Sequence, residues 1–386
     1  MATDRLSALT DEFLSTHILS EFSYRNVVRL CLLSKRWRFL WKKITFLNFY
    51  WQDFEKQKDF EINVIISNAL FHLDALFHLQ IVLNGPKTAD LNNWIRLAAE
   101  KKVESMSLQI CYRDFSMVDL GESLFRCKNL TVLKLKSINL PKVPSNFGGF
   151  QSLKTFYVFD NPNLDDATLQ EFMNMCPHLQ ILSIRGCVGL KKLKIRASNL
   201  ICVHLGFLNP NISLQMACPQ LTQINLMDYG YCRGLKLLQD ISRKESVKII
   251  TLHNYGTNVV NPDIPSIVVL NSFPQLEELI IHGHCFQEMI SYKISETEVT
   301  EVTLSNLKIV RVHIGTQKIG QAVNFLDFLL KNSPLCAISV FLSKRRSRIM
   351  LDKLLNLEKE SRLSTAIRGW STESKAICVL CGHYRV

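Results

Sequence analysis

The chain has 386 residues, with 46 Lys and Arg against 34 Asp and Glu, a formal net charge of +12. A hydrophobic fraction of 47% with only 21% charged residues excludes a disordered tail, and 15 Gly and 11 Pro exclude a linker-dominated or collagen-like chain. No stretch approaches the roughly eighteen uninterrupted apolar residues of a membrane span, so no membrane partner is expected. The start, Met1-Ala2-Thr3-Asp4-Arg5, lacks the apolar core of a secretory signal. The 12 cysteines, scattered from Cys31 to Cys381, are therefore expected as free thiols in the nucleus or cytoplasm.

Thr10 can cap a first helix over residues 11–22, with Asp11 and Glu12 in the turn where the helix dipole favours anions. Its apolar residues Leu14, Ile18 and Phe22 recur at i, i+4, i+8, flanked by Phe13 and Leu19. Asn26 or Ser23 can start a second helix carrying Val27, Val28, Leu30, Cys31, Leu32 and Leu33. Ser34 can cap a third, with Trp37, Leu40, Trp41 and Ile44 at i, i+3, i+4, i+7. Three such helices make a small core that needs a further surface to pack on. The same region is basic: Arg25, Arg29, Lys35, Arg36, Arg38, Lys42 and Lys43 lie between Phe22 and Gln52 with no acid among them. Such a patch can meet phosphate, an acidic protein surface or solvent.

Three runs carry a resemblance. Residues Asp4 to Leu14, then His17-Ile18-Leu19-Ser20, then Leu33-Ser34-Lys35-Arg36-Trp37-Arg38-Phe39-Leu40-Trp41 resemble a plant-type F-box. Thr10 stands where the family usually has proline, and Ser23-Tyr24-Arg25 replaces its usual connection between helices. The resemblance implies a three-helix module that docks on the Skp-type adaptor of a Skp–cullin–F-box ubiquitin ligase. By the family's pattern the adaptor-facing residues would be Leu6, Leu9, Leu14, Ile18, Leu19, Phe22 and Trp37, while Trp41 and Ile44 fill the module's own core.

From residue 76 onward one spacing recurs: an apolar residue, two others, an apolar residue, one other, an apolar residue. The triplets begin Leu76/Leu79/Ile81, Val103/Met106/Leu108, Leu130/Leu133/Leu135 and Leu153/Phe156/Val158. Next come Leu179/Leu182/Ile184, Leu200/Val203/Leu205, Leu221/Ile224/Leu226 and Val247/Ile250/Leu252. Leu276/Leu279/Ile281, Leu307/Val310/Val312 and Leu335/Ile338/Val340 complete the series. The mean step is near 26 residues, inside the range of about 20–29 for leucine-rich repeats. The second and third apolar residues of each triplet are two apart and point inward from one short strand. Pro177, Pro219, Pro274 and Pro334 stop the preceding segment before its strand.

The fold expected is α/β. A three-helix module over residues 1–49 and a linker over 50–75 precede a solenoid of degenerate repeats over 76–299. That solenoid would carry a parallel sheet on its concave side and helices or loops on the convex side. Residues 300–386, with Leu307-Lys308-Ile309-Val310, Phe328 to Leu335 and the apolar strand near Ala376-Ile377-Cys378-Val379, resemble the FBD-type domain found after such repeats. This implies an α/β cap on the solenoid. The basic run Lys344-Arg345-Arg346-Ser347-Arg348 is read as a solvated loop or an anionic contact.

Residues alternating with the inward ones face outward, among them Tyr157, Phe159, Ile181, Ser183, Arg185, His204, Asn225 and Met227. His253, His282 and His313 take equivalent positions in three successive units and would form a ladder on neighbouring strands. Tyr157, Phe159, Arg185, His253, His282 and His313 are the candidate target-binding residues. No metal is expected, either at the histidines or at Cys378-x-x-Cys381-x-His383, which offers three ligands of a four-ligand site. No phosphate-cradling glycine loop, zinc-protease helix or nucleophile elbow occurs in the sequence. The expected protein is a non-catalytic, cofactor-free ligase subunit, partnered by a Skp-type adaptor, through it a cullin, and a protein target. A repeat scaffold with a drifted F-box is the alternative, and a nucleic-acid partner is not expected.

Overall fold

A computed structural model of the chain describes residues 9–32, 35–84, 88–111, 117–209, 211–228, 237–238, 241, 244–254, 270–283, 304–314, 337–343, 364–366 and 375–381. The chain divides into two compact units, residues 1–190 and 191–386.

The first unit opens with helix α1 (Asp11–Phe13), whose Phe13 N–H donates to the Thr10 hydroxyl at 3.2 Å, so threonine provides the start that proline usually would. The helix widens into a π-helical stretch, Leu14–Ile18, then tightens to a 3-10 turn, Leu19–Glu21. Ser15 and Thr16 both donate their hydroxyls to the Glu12 carbonyl, and Ser20 donates to that of Thr16. Such back-bonding competes with the regular helix ladder. Helix α2 (Tyr24–Leu30) begins after Ser23, and α3 (Trp37–Leu40) runs on into the turn Trp41–Lys43. Ser34, expected as a cap, lies outside the described residues.

The sheet strands of this unit are β1 (Phe46–Tyr50), β2 (His78–Leu83), β3 (Ser105–Ile110), β4 (Val118–Asp119), β5 (Val132–Lys136), β6 (Ile138–Asn139), β7 (Thr155–Phe159) and β8 (Ile181–Arg185). The main order is β1-β2-β3-β5-β7-β8, all parallel, while β4 and β6 pair apart from it. Parallel neighbours need crossovers. Helices α4 (Asp59–His72), α5 (Thr88–Glu100) and α6 (Asp166–Asn174), with the 3-10 turn Glu122–Arg126, supply four of the five, and the crossing from β5 to β7 holds β6 alone. Behind the sheet, Phe125, Phe147, Phe150, Phe172 and Phe156 make a chain of ring contacts with centroids 4.7 to 6.0 Å apart.

Two readings of the sequence are corrected here. Residues 50–75 are not a linker: they hold the turn Trp51–Phe54 and α4, which buries Ile66, Ala69 and Leu70. Nor do the repeats start at residue 76. Ile44, Leu47 and Phe49 form an earlier triplet with the same spacing, all buried, with Leu47 level with Leu79 and Phe49 with Ile81. The end of the helical module is therefore the first corner of the sheet. Tyr24 packs 5.0 Å from Phe49, and Asn48 donates to the Ser20 carbonyl at 3.2 Å.

In the second unit β10 (Cys202–Gly206), β12 (Gln223–Asp228), β13 (Ile249–Asn254), β14 (Glu278–Gly283), β15 (Ile309–Ile314) and β16 (Ala337–Ser343) pair in parallel, in that order. Strand β18 (Lys375–Cys381) then pairs antiparallel with β16, and β17 (Ser364–Ala366) with β18, which ends the parallel run. A separate parallel pair joins β9 (Lys192–Arg196) to β11 (Ser213–Ala217). Glu277 bridges Lys308 at 2.9 Å and Lys248 at 3.0 Å, linking three successive coils just before their strands.

Every residue of the ten triplets from Leu76/Leu79/Ile81 to Leu307/Val310/Val312 is buried. The side chain of Leu335 lies outside the described residues, while Ile338 and Val340 fall on β16. A second periodic feature follows the strands. Ser137, Asp160, Gly186 and Phe207 have φ of 60°, 50°, 69° and 52°, the left-handed region, and each directly follows its strand. The turned backbone lets Ser137 N–H donate to the Phe159 carbonyl and Asp160 N–H to that of Arg185, both at 2.8 Å. At Gly186 an added Cβ would meet Asp160 Oδ1 at 2.4 Å and its backbone at 3.1 Å, so space favours glycine there, whereas Ser137, Asp160 and Phe207 hold the same conformation with side chains.

Candidate functional site

The helical module is held shut by one acid. Asp11 accepts from Arg36 Nε at 2.8 Å and lies 3.6 Å from Lys43 Nζ, and Arg36 also donates to the Leu9 carbonyl. The Arg36 hydrogen bond, with the charges of Arg36 and Lys43, holds the Asp11 carboxyl below its ordinary value of 3.8 against the smaller opposing effect of burial. Two of the expected cations, Arg36 and Lys43, are thus engaged within the module.

The expected adaptor residues separate by burial. Leu14 and Leu19 are buried inside the chain, where they set the shape of the module; Leu9, Ile18 and Trp37 are half-buried and Phe22 is exposed. Leu6 lies outside the described residues. Ile44 is fully buried and Trp41 half-buried. The alternation of apolar positions did not single out the most exposed ones: Leu32 is 84% and Phe39 62% accessible, and Phe13 and Val28 are also exposed.

The second site is on the outward face of the first unit's sheet. Strand register places Lys134, Tyr157 and Ser183 in one row and Lys136, Phe159 and Arg185 in the next. Lys134 Nζ lies 5.0 Å from the centre of the Tyr157 ring, and the Arg185 guanidinium carbon 4.2 Å from that of Phe159. The two aromatic rings are 5.7 Å apart, and Lys136 pairs with Asp160 at 3.4 Å. Three of the expected target-binding residues, Tyr157, Phe159 and Arg185, therefore meet, joined by two lysines that the pattern alone did not select. On β2 the same face carries His78, which shares a hydrogen bond with Ser105 Oγ at 2.9 Å. Burial and then the charge of Lys134 push the His78 pKa below its ordinary 6.5.

In the second unit His253 is level with His282 and His282 with His313. The rings of His253 and His282 stack 4.2 Å apart and nearly parallel, at 4°. The side chain of His313 lies outside the described residues, as do His383 and the basic run 344–348. Among the described residues no group of three or more His, Cys, Asp or Glu is placed to hold a metal ion, and no helix is long and apolar enough to cross a membrane.

A helical module fused to parallel, leucine-spaced coils defines a class, and comparison with known proteins gives the same two parts. Residues 6–49 match the F-box domain, and residues 91–237 match the family described as FBD-associated F-box protein At5g56370, LRR repeats. The chain thus has an N-terminal F-box followed by leucine-rich repeats, and it is similar to F-box/FBD/LRR-repeat proteins of Arabidopsis thaliana. It is 31% identical over 242 residues to F-box/FBD/LRR-repeat protein At5g56420, covering 59% of this chain and 57% of the relative. It is 30% identical over 184 residues to FBD-associated F-box protein At5g56370, covering 47% and 43% of the two, and 27% over 248 residues to FBD-associated F-box protein At5g38590, covering 62% and 60%. The chain spans about half the length of these curated relatives. Among solved structures, the leucine-rich repeat-containing protein LegL7 of Legionella pneumophila matches 89% of this chain and 88% of its own at 12% identity and a TM-score of 0.32. The repeat assignment rests on the strand register above.

Proposed function

We propose that this chain is the substrate-recognition subunit of a Skp–cullin–F-box ubiquitin ligase. The F-box would clip to a Skp-type adaptor, and through it a cullin, while the repeats hold a protein target. The observation that carries this reading is the joining of an F-box to the repeats through one shared triplet, Ile44/Leu47/Phe49. In this role the chain performs no chemistry; it raises the effective concentration of a target near the ligase, in the nucleus or cytoplasm. The exposed Phe22, Leu32 and Phe39, with the half-buried Leu9, Ile18 and Trp37, are the side chains offered to the adaptor. The region from β15 to β18, with its antiparallel end, would be the FBD-type cap.

The test is co-purification of the full chain with a plant Skp-type adaptor, beside a Phe22→Asp/Phe39→Asp variant that keeps the wild-type thermal melt. Capture by the wild type and its loss in the variant are expected. A folded wild-type chain that captures no adaptor would overturn the ligase reading and leave a repeat scaffold with a drifted F-box.

A further inference from the structure

Residues between Trp51 and Trp94 wall a cavity of about 550 Å³ at the carboxyl ends of β1 and β2, beside the first turns of α4 and α5. Its size is that of a small-molecule site, for which about 300–1,000 Å³ is usual. Phe54, Leu83 and Trp94 are its buried wall. Trp94 Nε1–H donates to Asn63 Oδ1 at 3.0 Å, so the only donor of that ring is already used. Trp51, half-buried, lines the side. The charged residues of the lining are all acids, Glu55, Asp59 and Asp90, with no Lys, Arg or His. None of these three carboxylates has a hydrogen bond or ion pair with a described residue. Asp59 and Asp90 stand in the first turns of α4 and α5, where the helix dipole favours an acid. Lys56 and Lys58, the cations beside Glu55 and Asp59 in sequence, do not line the cavity.

We propose that this cavity binds an organic cation, an alkyl guanidinium or ammonium group, with its charge at the carboxylates and its methylenes against Trp51, Ile62 and Leu83. The proposal stands whether or not the chain recruits an adaptor. An anion would meet three like charges and no cation. A bare metal ion is no better served: among the described residues no three acids converge to hold one, so the carboxylates suit a charge spread over a larger group. A guanidinium matches both parts of the lining, since its plane stacks on an aromatic ring and its N–H groups bond carboxylates. Carboxylates fully in water would hold such a group weakly, because solvent screens the pair. Here the wall of Phe54, Leu83 and Trp94 keeps water from one side of the guest, which strengthens the attraction. The same chemistry arrives from two sources, a free small molecule or an Arg or Lys side chain of a polypeptide.

Isothermal titration calorimetry on the full chain tests this with three probes. They are agmatine, a capped tripeptide with arginine between glycines, and the same tripeptide with citrulline, which keeps the shape without the charge. Saturable binding of a charged probe and none of the citrulline peptide is expected. Tighter agmatine assigns the site to a small molecule and tighter tripeptide to a polypeptide side chain, and both are the proposed chemistry. Glu55→Gln/Asp90→Asn, which leaves Asp59 at the start of α4, should weaken the better probe about tenfold or more, since it removes charge-assisted hydrogen bonds. Trp51→Leu keeps an apolar side chain, removes the ring and should weaken binding severalfold. Glu171→Gln, at an exposed acid of α6 outside the cavity, should change nothing. Thermal melts check that each variant is folded. Equal binding of the citrulline peptide, undiminished binding in the folded Glu55→Gln/Asp90→Asn chain, an equal loss in Glu171→Gln, or no saturation by either charged probe at millimolar concentration would each overturn the proposal.

Discussion

Arg36 reaches back across 25 residues to Asp11 at 2.8 Å, so the start of the third helix of the F-box is tied to the first turn of its first helix. The depressed Asp11 pKa sets the sign of its pH dependence. A carboxyl held below its ordinary 3.8 in the folded chain contributes stability above that value and loses it as the pH falls through the folded pKa. Asp11→Asn should therefore lower the melting temperature at pH 7, and the difference from wild type should shrink as the pH falls below 3.8 and through the folded pKa. Thermal melts over an acidic pH series check this. An undiminished difference at low pH would show that Asp11 acts by shape alone.

Phe49 is shared by the F-box and the sheet, fully buried between Tyr24 at 5.0 Å and Phe54 at 6.2 Å. Phe49→Ala should cost about 3–5 kcal/mol, the range for deleting a buried aromatic ring. Urea unfolding measures the loss. Adaptor capture should fall with it, although Phe49 has no surface through which to touch a partner.

Gly186→Ala combines a left-handed φ of 69° with a Cβ that would approach Asp160 Oδ1 to 2.4 Å and its backbone to 3.1 Å. The expected cost is about 1–2 kcal/mol. The displaced Asp160 carboxylate should also loosen its pairing with Lys136. A measured change near zero would show that the loop between β8 and β9 shifts freely.

Cys127, Cys176 and Cys187 are buried thiols whose pKa desolvation pushes up to about 12. At pH 8 only about one in ten thousand of each would be thiolate. Iodoacetamide should therefore label the half-buried Cys111 and Cys31 of the folded chain well before these three. Peptide mass spectrometry over time gives the order, and 6 M guanidinium should abolish it.

The sequence revealed most where one physical rule acted alone. Leu133 and Leu135 alternate with Lys134 and Lys136 and had to point inward wherever the strand lay. Ile44 fitted two periods at once, the helical one shared with Trp37 and Trp41 and the triplet shared with Leu47 and Phe49, and the helical period concealed the first strand. Helix α4 went unseen because its apolar residues fall on several sides: Phe60, Val64 and Phe71 are exposed while Ile66, Ala69 and Leu70 are buried. On the outward face of the first unit's sheet, alternation picked out Tyr157, Phe159 and Arg185 as outward but did not show that Lys134 and Lys136 lie beside them. Those join through cross-strand register, a property of paired strands rather than of one segment.

Because Ile44, Leu47 and Phe49 belong to both parts of the first unit, no hinge separates the F-box from the strands that follow it. From β1 to β7 is four strand spacings, about 19 Å. Under the proposed ligase role, a target held over β7 would therefore stand at a set offset from whatever grips the F-box. The chain would work as a gauge block, choosing among the lysines of its cargo by where they happen to fall.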